Sequence, residues 1–74
     1  MESDLLPGKP YPFGALQLDG GVNFAVYAKD AAVITLCLFN EIDTKNPIRE
    51  IPLEEKSNRT GDVWHVLVQN LQLP

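Results

Sequence analysis

Seventy-four residues with six basic and ten acidic side chains, a formal net charge of −4, make one small domain. They exclude nucleic acid as a partner, because phosphate binding needs clustered Lys and Arg and the six here are scattered singly. A hydrophobic content of 45% is too high for a disordered chain, and the lone Cys37 rules out an internal disulfide framework and points to a reducing compartment. No apolar run approaches the roughly 18–20 residues that span a bilayer, so no membrane partner is expected. A chain this size buries only about 60% of the surface its unfolded form exposes, so its core is marginal.

Residues 1–12 carry Pro7, Pro10, Pro12 and Gly8, which excludes a helix or a central strand and predicts an extended lead-in along the surface. The opening MESDLLPGKP is acidic and proline-bearing, unlike a secretory signal or a basic transit peptide. Phe13–Leu18 reads as a short first strand with Leu16 and Leu18 on one face. Asp19-Gly20-Gly21 then makes a hairpin turn in which glycine supplies positive φ. Val22–Ala28 alternates Val22, Phe24 and Val26 with Asn23, Ala25 and Tyr27, the period of a pleated strand. Lys29–Ala32 is polar to small and reads as a hairpin loop. Val33–Phe39 follows as a near-continuous apolar run; seven residues rich in Val, Ile, Thr and Phe favour a strand over a helix. These two strands are expected to pair and to organise the rest of the chain.

Asn40–Pro47 is a polar loop. Ile48–Leu53 has strand spacing at Ile51 and Leu53, while Pro52 restricts it to an edge. Glu54–Asp62 has no apolar residue and reads as a solvated loop with a glycine turn. Val63–Leu71 is the last strand, with Trp64, Val66 and Val68 on one face and Val63, His65 and Leu67 on the other. About five short strands separated by turn signals predict an all-β fold, an antiparallel β-sandwich. An immunoglobulin-like sandwich needs about 100 residues and seven strands. With room for about five or six and with its last strand left unpaired, the chain is expected to lack the final strand at its C-terminus. Val22, Phe24, Val26, Ile34, Leu36 and Leu38 are assigned to the inner face. The opposite row, with Cys37 and Phe39, is more apolar than an open face needs and is expected to be covered by a missing strand or partner.

Gly8-Lys9-Pro10-Tyr11-Pro12-Phe13-Gly14-Ala15, followed by Asp19-Gly20-Gly21-Val22-Asn23-Phe24-Ala25-Val26-Tyr27, resembles the opening of isoamylase-type debranching enzymes. Leu36-Cys37-Leu38-Phe39 and Asn58-Arg59-Thr60-Gly61-Asp62-Val63-Trp64-His65-Val66 resemble the next two blocks, in family order, and together they cover almost the whole chain. The version Asn-Arg-Thr-Gly-Asp-Val-Trp-His is more similar to the plant starch-debranching form than to the bacterial glycogen-debranching one. The resemblance implies an early-set immunoglobulin-like β-sandwich of the carbohydrate-binding module 48 type over residues 13–74. In the family this module precedes a (β/α)8 barrel that hydrolyses α-1,6 branch linkages. It further implies branched α-glucan and the parent's own catalytic barrel as partners, no cofactor, a homo- or hetero-oligomeric parent, and a plastid stromal location in a plant or a cytoplasmic one otherwise. The barrel's aspartate nucleophile, glutamate acid/base and second aspartate have no counterparts here, so no catalytic residue is carried over and the piece itself is expected to be non-catalytic.

Trp64 and Tyr27 are the candidate carbohydrate-binding residues, since an aromatic face suits the apolar face of a glucose ring. Against this, Trp64 alternates with Val66 and Val68, and aromatic side chains dominate cores and interfaces, so packing is the weightier reading for both. His65 has no His, Cys or carboxylate at ligand spacing, and no metal site is expected. Cys37 reads as a buried small hydrophobe. Asn58-Arg59-Thr60 fits the glycosylation pattern, which matters only in a secreted protein. Glu54-Glu55 are adjacent in a polar loop, whereas glycoside hydrolysis needs acids on opposite sides of one bond, about 5–10 Å apart. The alternative from a different class is a stand-alone immunoglobulin-like domain that binds protein and has no glucan role.

Overall fold

The computed structural model describes residues 4–39, 42–43 and 45–72. Asn40, Glu41 and Thr44 of the expected loop, and Leu73 and Pro74 at the expected truncation, lie outside the described residues. Seven strands follow in order: β1 (Leu5–Leu6), β2 (Gly14–Leu18), β3 (Gly21–Tyr27), β4 (Ile34–Leu38), β5 (Arg49–Leu53), β6 (Arg59–Thr60) and β7 (Val63–Gln69). They form two antiparallel sheets, one of five strands in the order β1-β7-β3-β2 with β6 also on β7, the other β4-β5. The described residues contain no helix, and the fold is the expected antiparallel β-sandwich.

The two principal strands do not pair with each other. β3 lies between β2 and β7, whereas β4 pairs, among the described residues, with β5 alone, so residues 28–33 carry the chain from one sheet to the other. Period-2 alternation reports which face a side chain takes and not which strand lies alongside. Two inward-facing apolar rows can therefore stack across the sandwich as readily as they can lie side by side. The inner-face assignment itself holds. Val22 and Phe24 stand opposite Val68 and Val66 on β7, and directly opposed residues share a face. Phe24, Leu36, Leu38 and Leu53 pack around the buried cluster of Ile51, Val66 and Val68. Val26 sits at the open end of this layer and is 48% exposed.

β7 is the second correction. Far from lacking a partner, it pairs with β3 along one edge and with β6 and then β1 along the other. Between those two short strands the edge is completed by Asn58, which the sequence placed in a solvated loop. The Asn58 carbonyl accepts from His65 N (2.7 Å), its side-chain amide donates to the His65 carbonyl (2.9 Å), and its Oδ1 accepts from Glu54 N (2.9 Å). A side-chain amide carries the same donor and acceptor as a peptide, so Asn58 stands in for the missing strand residue. Nothing in a polar run such as Glu54–Asp62 signals this.

The lead-in is bound by a similar device. Asn23, buried in the middle of β3, accepts from Lys9 N (2.8 Å) and donates to the Lys9 carbonyl (3.0 Å). His65 Nδ1 donates to the Pro7 carbonyl (2.6 Å), and its Nε2 accepts from the Thr60 hydroxyl (2.8 Å). A carbonyl can only accept, which fixes this tautomer for the neutral ring. Gly8 passes so close to the sheet, at φ +78°, that a Cβ would lie 2.6 Å from Asn23 Oδ1 and 2.8 Å from Leu67 N. Positive φ is thus used at Gly8, and not at the Asp19–Gly21 turn where the sequence suggested it. Gly21 is required for a different reason: a Cβ there would overlap the Val68 carbonyl.

One charged pair ties the sheets together. Arg49, at the start of β5, donates to both carboxylate oxygens of Asp4, just before β1, at 2.6 and 3.1 Å. Hydrogen bonding from Arg49, aided by its charge and opposed by desolvation, holds the Asp4 carboxyl below its ordinary value. A carboxyl with a depressed folded-state pKa adds stability above its unfolded value, 3.8, and loses that contribution as pH falls through the folded value. In urea unfolding, Asp4→Asn should therefore be less stable than wild type at neutral pH, and the two should converge as pH falls below the ordinary carboxyl value of 3.8. A gap undiminished at the acid end would contradict this role.

Candidate functional site

Tyr27 is the last residue of β3 and is 56% exposed. Beside it, at the same end of the sheet, Gly14 opens β2 opposite Ala25. Phe13, immediately before Gly14, is exposed, as is Tyr11, and their rings form a tilted pair with centroids 5.4 Å apart and 31° between planes. Neither residues 10–18 nor residues 20–28 contain a charged side chain. The three exposed rings come from these two uncharged stretches, with Lys29 and Asp62 flanking the end of β3. Sequence reading singled out Tyr27 alone; Tyr11 and Phe13 were absorbed into the lead-in and the first strand. Their shared side was not readable from spacing, because the chain bends at Pro10, Pro12 and Phe13 rather than running extended.

Between the two sheets at this end lies an open apolar groove of about 460 Å³, walled by Phe13, Phe24, Leu36, Leu53 and Trp64 and rimmed by Tyr27. Trp64 is 1% exposed and offers no open ring face. Arg59, paired directly opposite it on β6, sets its guanidinium 5.4 Å from the indole centroid. That guanidinium is held by Glu55 (2.8 Å) and Asp62 (3.4 Å), and Arg59 Nε donates to the Gly61 carbonyl (2.7 Å). The Trp64 indole N–H is buried without an acceptor among the described residues. The two candidates thus sit in opposite environments, Trp64 sealed within the sandwich and Tyr27 in solvent.

Of the remaining residues singled out, Glu55 is bound to Arg59 and Glu54 accepts from Ser57 (3.3 Å). They do not face one another across a cleft. The Asn58 amide nitrogen is committed to the His65 carbonyl, which leaves it unsuited to carry a glycan. Both ring nitrogens of His65 are engaged within the fold. Cys37, expected to be buried, is exposed, because the described residues cover β4 on one face only. Phe39, in the same outward row, is 47% exposed.

Two antiparallel sheets stacked face to face, with an open aromatic end, define the class: a small immunoglobulin-like β module. The family follows from sequence comparison. Residues 12–74 match carbohydrate-binding module 48, the isoamylase N-terminal domain, and the chain belongs to that family. It is 48% identical over 67 residues to isoamylase 1, chloroplastic, of Oryza sativa subsp. japonica, covering 88% of this chain and 8% of that protein. It is 49% identical over 71 residues to isoamylase SU1, chloroplastic, of Zea mays, covering 93% of this chain and 9% of that protein. A glycogen debranching enzyme of Pectobacterium carotovorum is 41% identical over 64 residues, covering 85% of this chain and 9% of that protein. The chain therefore spans less than a tenth of the length of these relatives.

Proposed function

We propose that this chain is the N-terminal module of an enzyme that hydrolyses α-1,6 branch linkages in starch or glycogen. Its share of the work is to position branched α-glucan and to pack against the catalytic domain; the bond chemistry belongs to residues outside it. The observation that carries this reading is the family match over residues 12–74, together with 48–49% identity to two plant isoamylases. Tyr27 is proposed to contact sugar directly, while Trp64 acts from beneath by fixing the end of β7. Phe39 and the outward row of β4 are proposed to face the catalytic domain, since an apolar row this open is suited to a protein contact. In a plant the parent would work in the plastid stroma, as the names of the plant relatives suggest, and in a bacterium in the cytoplasm.

Co-sedimentation of the chain with insoluble amylopectin tests the reading. Retention that soluble maltoheptaose displaces, without release of reducing ends, is the expected result. A chain that stays in the supernatant at every amylopectin load would support the protein-interaction alternative instead.

A further inference from the structure

We infer that the Tyr11–Phe13 ring pair, with Tyr27 beside it, is a preorganised stacking platform for the apolar faces of glucose units, a site that rests on the α-glucan reading above. Three observations converge on it. The first is exposure: Tyr11 is 65%, Phe13 56% and Tyr27 56% accessible, at one end of a sheet whose tryptophan, Trp64, is sealed.

The second is anchoring. On one side of the pair, both backbone polar groups of Lys9 are bound to the buried Asn23 side chain, and Gly8 is wedged against β7. On the other side, Gly14 enters the β2–β3 ladder opposite Ala25. Only Pro10, Tyr11, Pro12 and Phe13 lie between these fixed points, and the two prolines lock their own φ. The rings are therefore held on a short rigid bridge, and a ligand that meets them orders little further chain. Asn23 is a positioning residue for this platform.

The third is charge. The platform is built from two stretches, residues 10–18 and 20–28, that contain no charged side chain, although ten acidic and six basic residues occur in the chain. Rings carried on uncharged stretches suit a neutral polyhydroxy ligand, whose pyranose rings offer one C–H face to an aromatic ring and keep their hydroxyls in water. A charged ligand would find no counter-charge in either stretch.

Affinity electrophoresis of the 74-residue chain through gels containing soluble amylopectin tests this. Tyr11→Leu and Phe13→Leu keep apolar bulk but lose the ring face, and each should weaken binding about 2- to 10-fold at unchanged melting temperature. The Y11A/F13A double variant should migrate as though no glucan were present. Ile48→Ala, at an exposed apolar residue just before β5, should bind like wild type. Retarded wild type with an equally retarded double variant would overturn the platform while leaving the glucan reading standing. Wild type that is not retarded at all would overturn both. A wild-type chain found dimeric by sedimentation, and a monomeric double variant, would assign the rings to self-association and overturn the platform as well.

Discussion

Replacing Trp64 by Ala should cost the fold about 3–5 kcal/mol, the range for deleting a buried aromatic side chain. A chain of 74 residues has only about 4–11 kcal/mol to lose at the usual stability per residue, so the variant should lie near the edge of folding. Three features concentrate the loss here. Trp64 is among the largest fully buried side chains, it stands opposite Val26 at the open end of the core, and its ring meets the Arg59 guanidinium. Arg59 also donates to the Lys29 carbonyl at 3.4 Å, so the same side chain links the inter-sheet crossing to the β6–β7 turn. Trp64→Phe makes the prediction specific. Phe leaves a smaller void and removes an indole N–H that has no acceptor among the described residues, a buried group that costs about 1–3 kcal/mol. That variant should therefore retain most of the stability. Urea unfolding checks both, and a loss below about 1 kcal/mol for Trp64→Ala would show that the indole is not what holds this end together.

Gly21→Ala is the second large effect, and its sign is diagnostic. In a strand interior Ala is ordinarily better than Gly by about 0.5–1 kcal/mol. At Gly21, however, the added Cβ would overlap the Val68 carbonyl and lie 2.8 Å from Gln69 Cα. Both obstacles are backbone of the central strand, which cannot rotate away. β3 and β7 would have to separate where the β2–β3 hairpin begins, and the expected loss is about 1–3 kcal/mol, as for overpacked cores. Gly20→Ala, one residue earlier, meets nothing within 4 Å and should be neutral or mildly stabilising. A Gly21→Ala chain as stable as wild type would mean that β3 and β7 do not approach this closely.

How much of this was legible in the sequence depends on which physical signal each feature leaves. Strand positions and inner faces leave alternation, and so Val22, Phe24, Leu36, Val66 and Val68 were assigned correctly. Strand neighbours leave no such trace. The β3–β4 pairing was inferred from adjacency in the chain, and the structure replaces it with a crossing between sheets. The central place of β7 had a readable signal that was overlooked: in Val63–Gln69 one row is wholly apolar and the other still carries Val63 and Leu67, as befits a strand covered on two faces. Asn23, Asn58 and His65 were unreadable, because a polar side chain that replaces a backbone partner looks the same in sequence as one in solvent. At the aromatic end, Tyr27 stood out by its place in a strand. Tyr11 and Phe13 stayed hidden because their exposure follows from Lys9 and Gly14 being fixed on either side, a three-dimensional fact.

The central claim, that this sandwich meets α-glucan through its exposed aromatic end while its core stays closed, is tested most directly by titrating the isotopically labelled chain with maltoheptaose and following individual resonances by NMR. Saturable shifts at Tyr11, Phe13 and Tyr27, with the Trp64 indole signal unmoved, are the predicted result. Shifts at Trp64 without any at the three exposed rings, or no shift anywhere at saturating sugar, would contradict it.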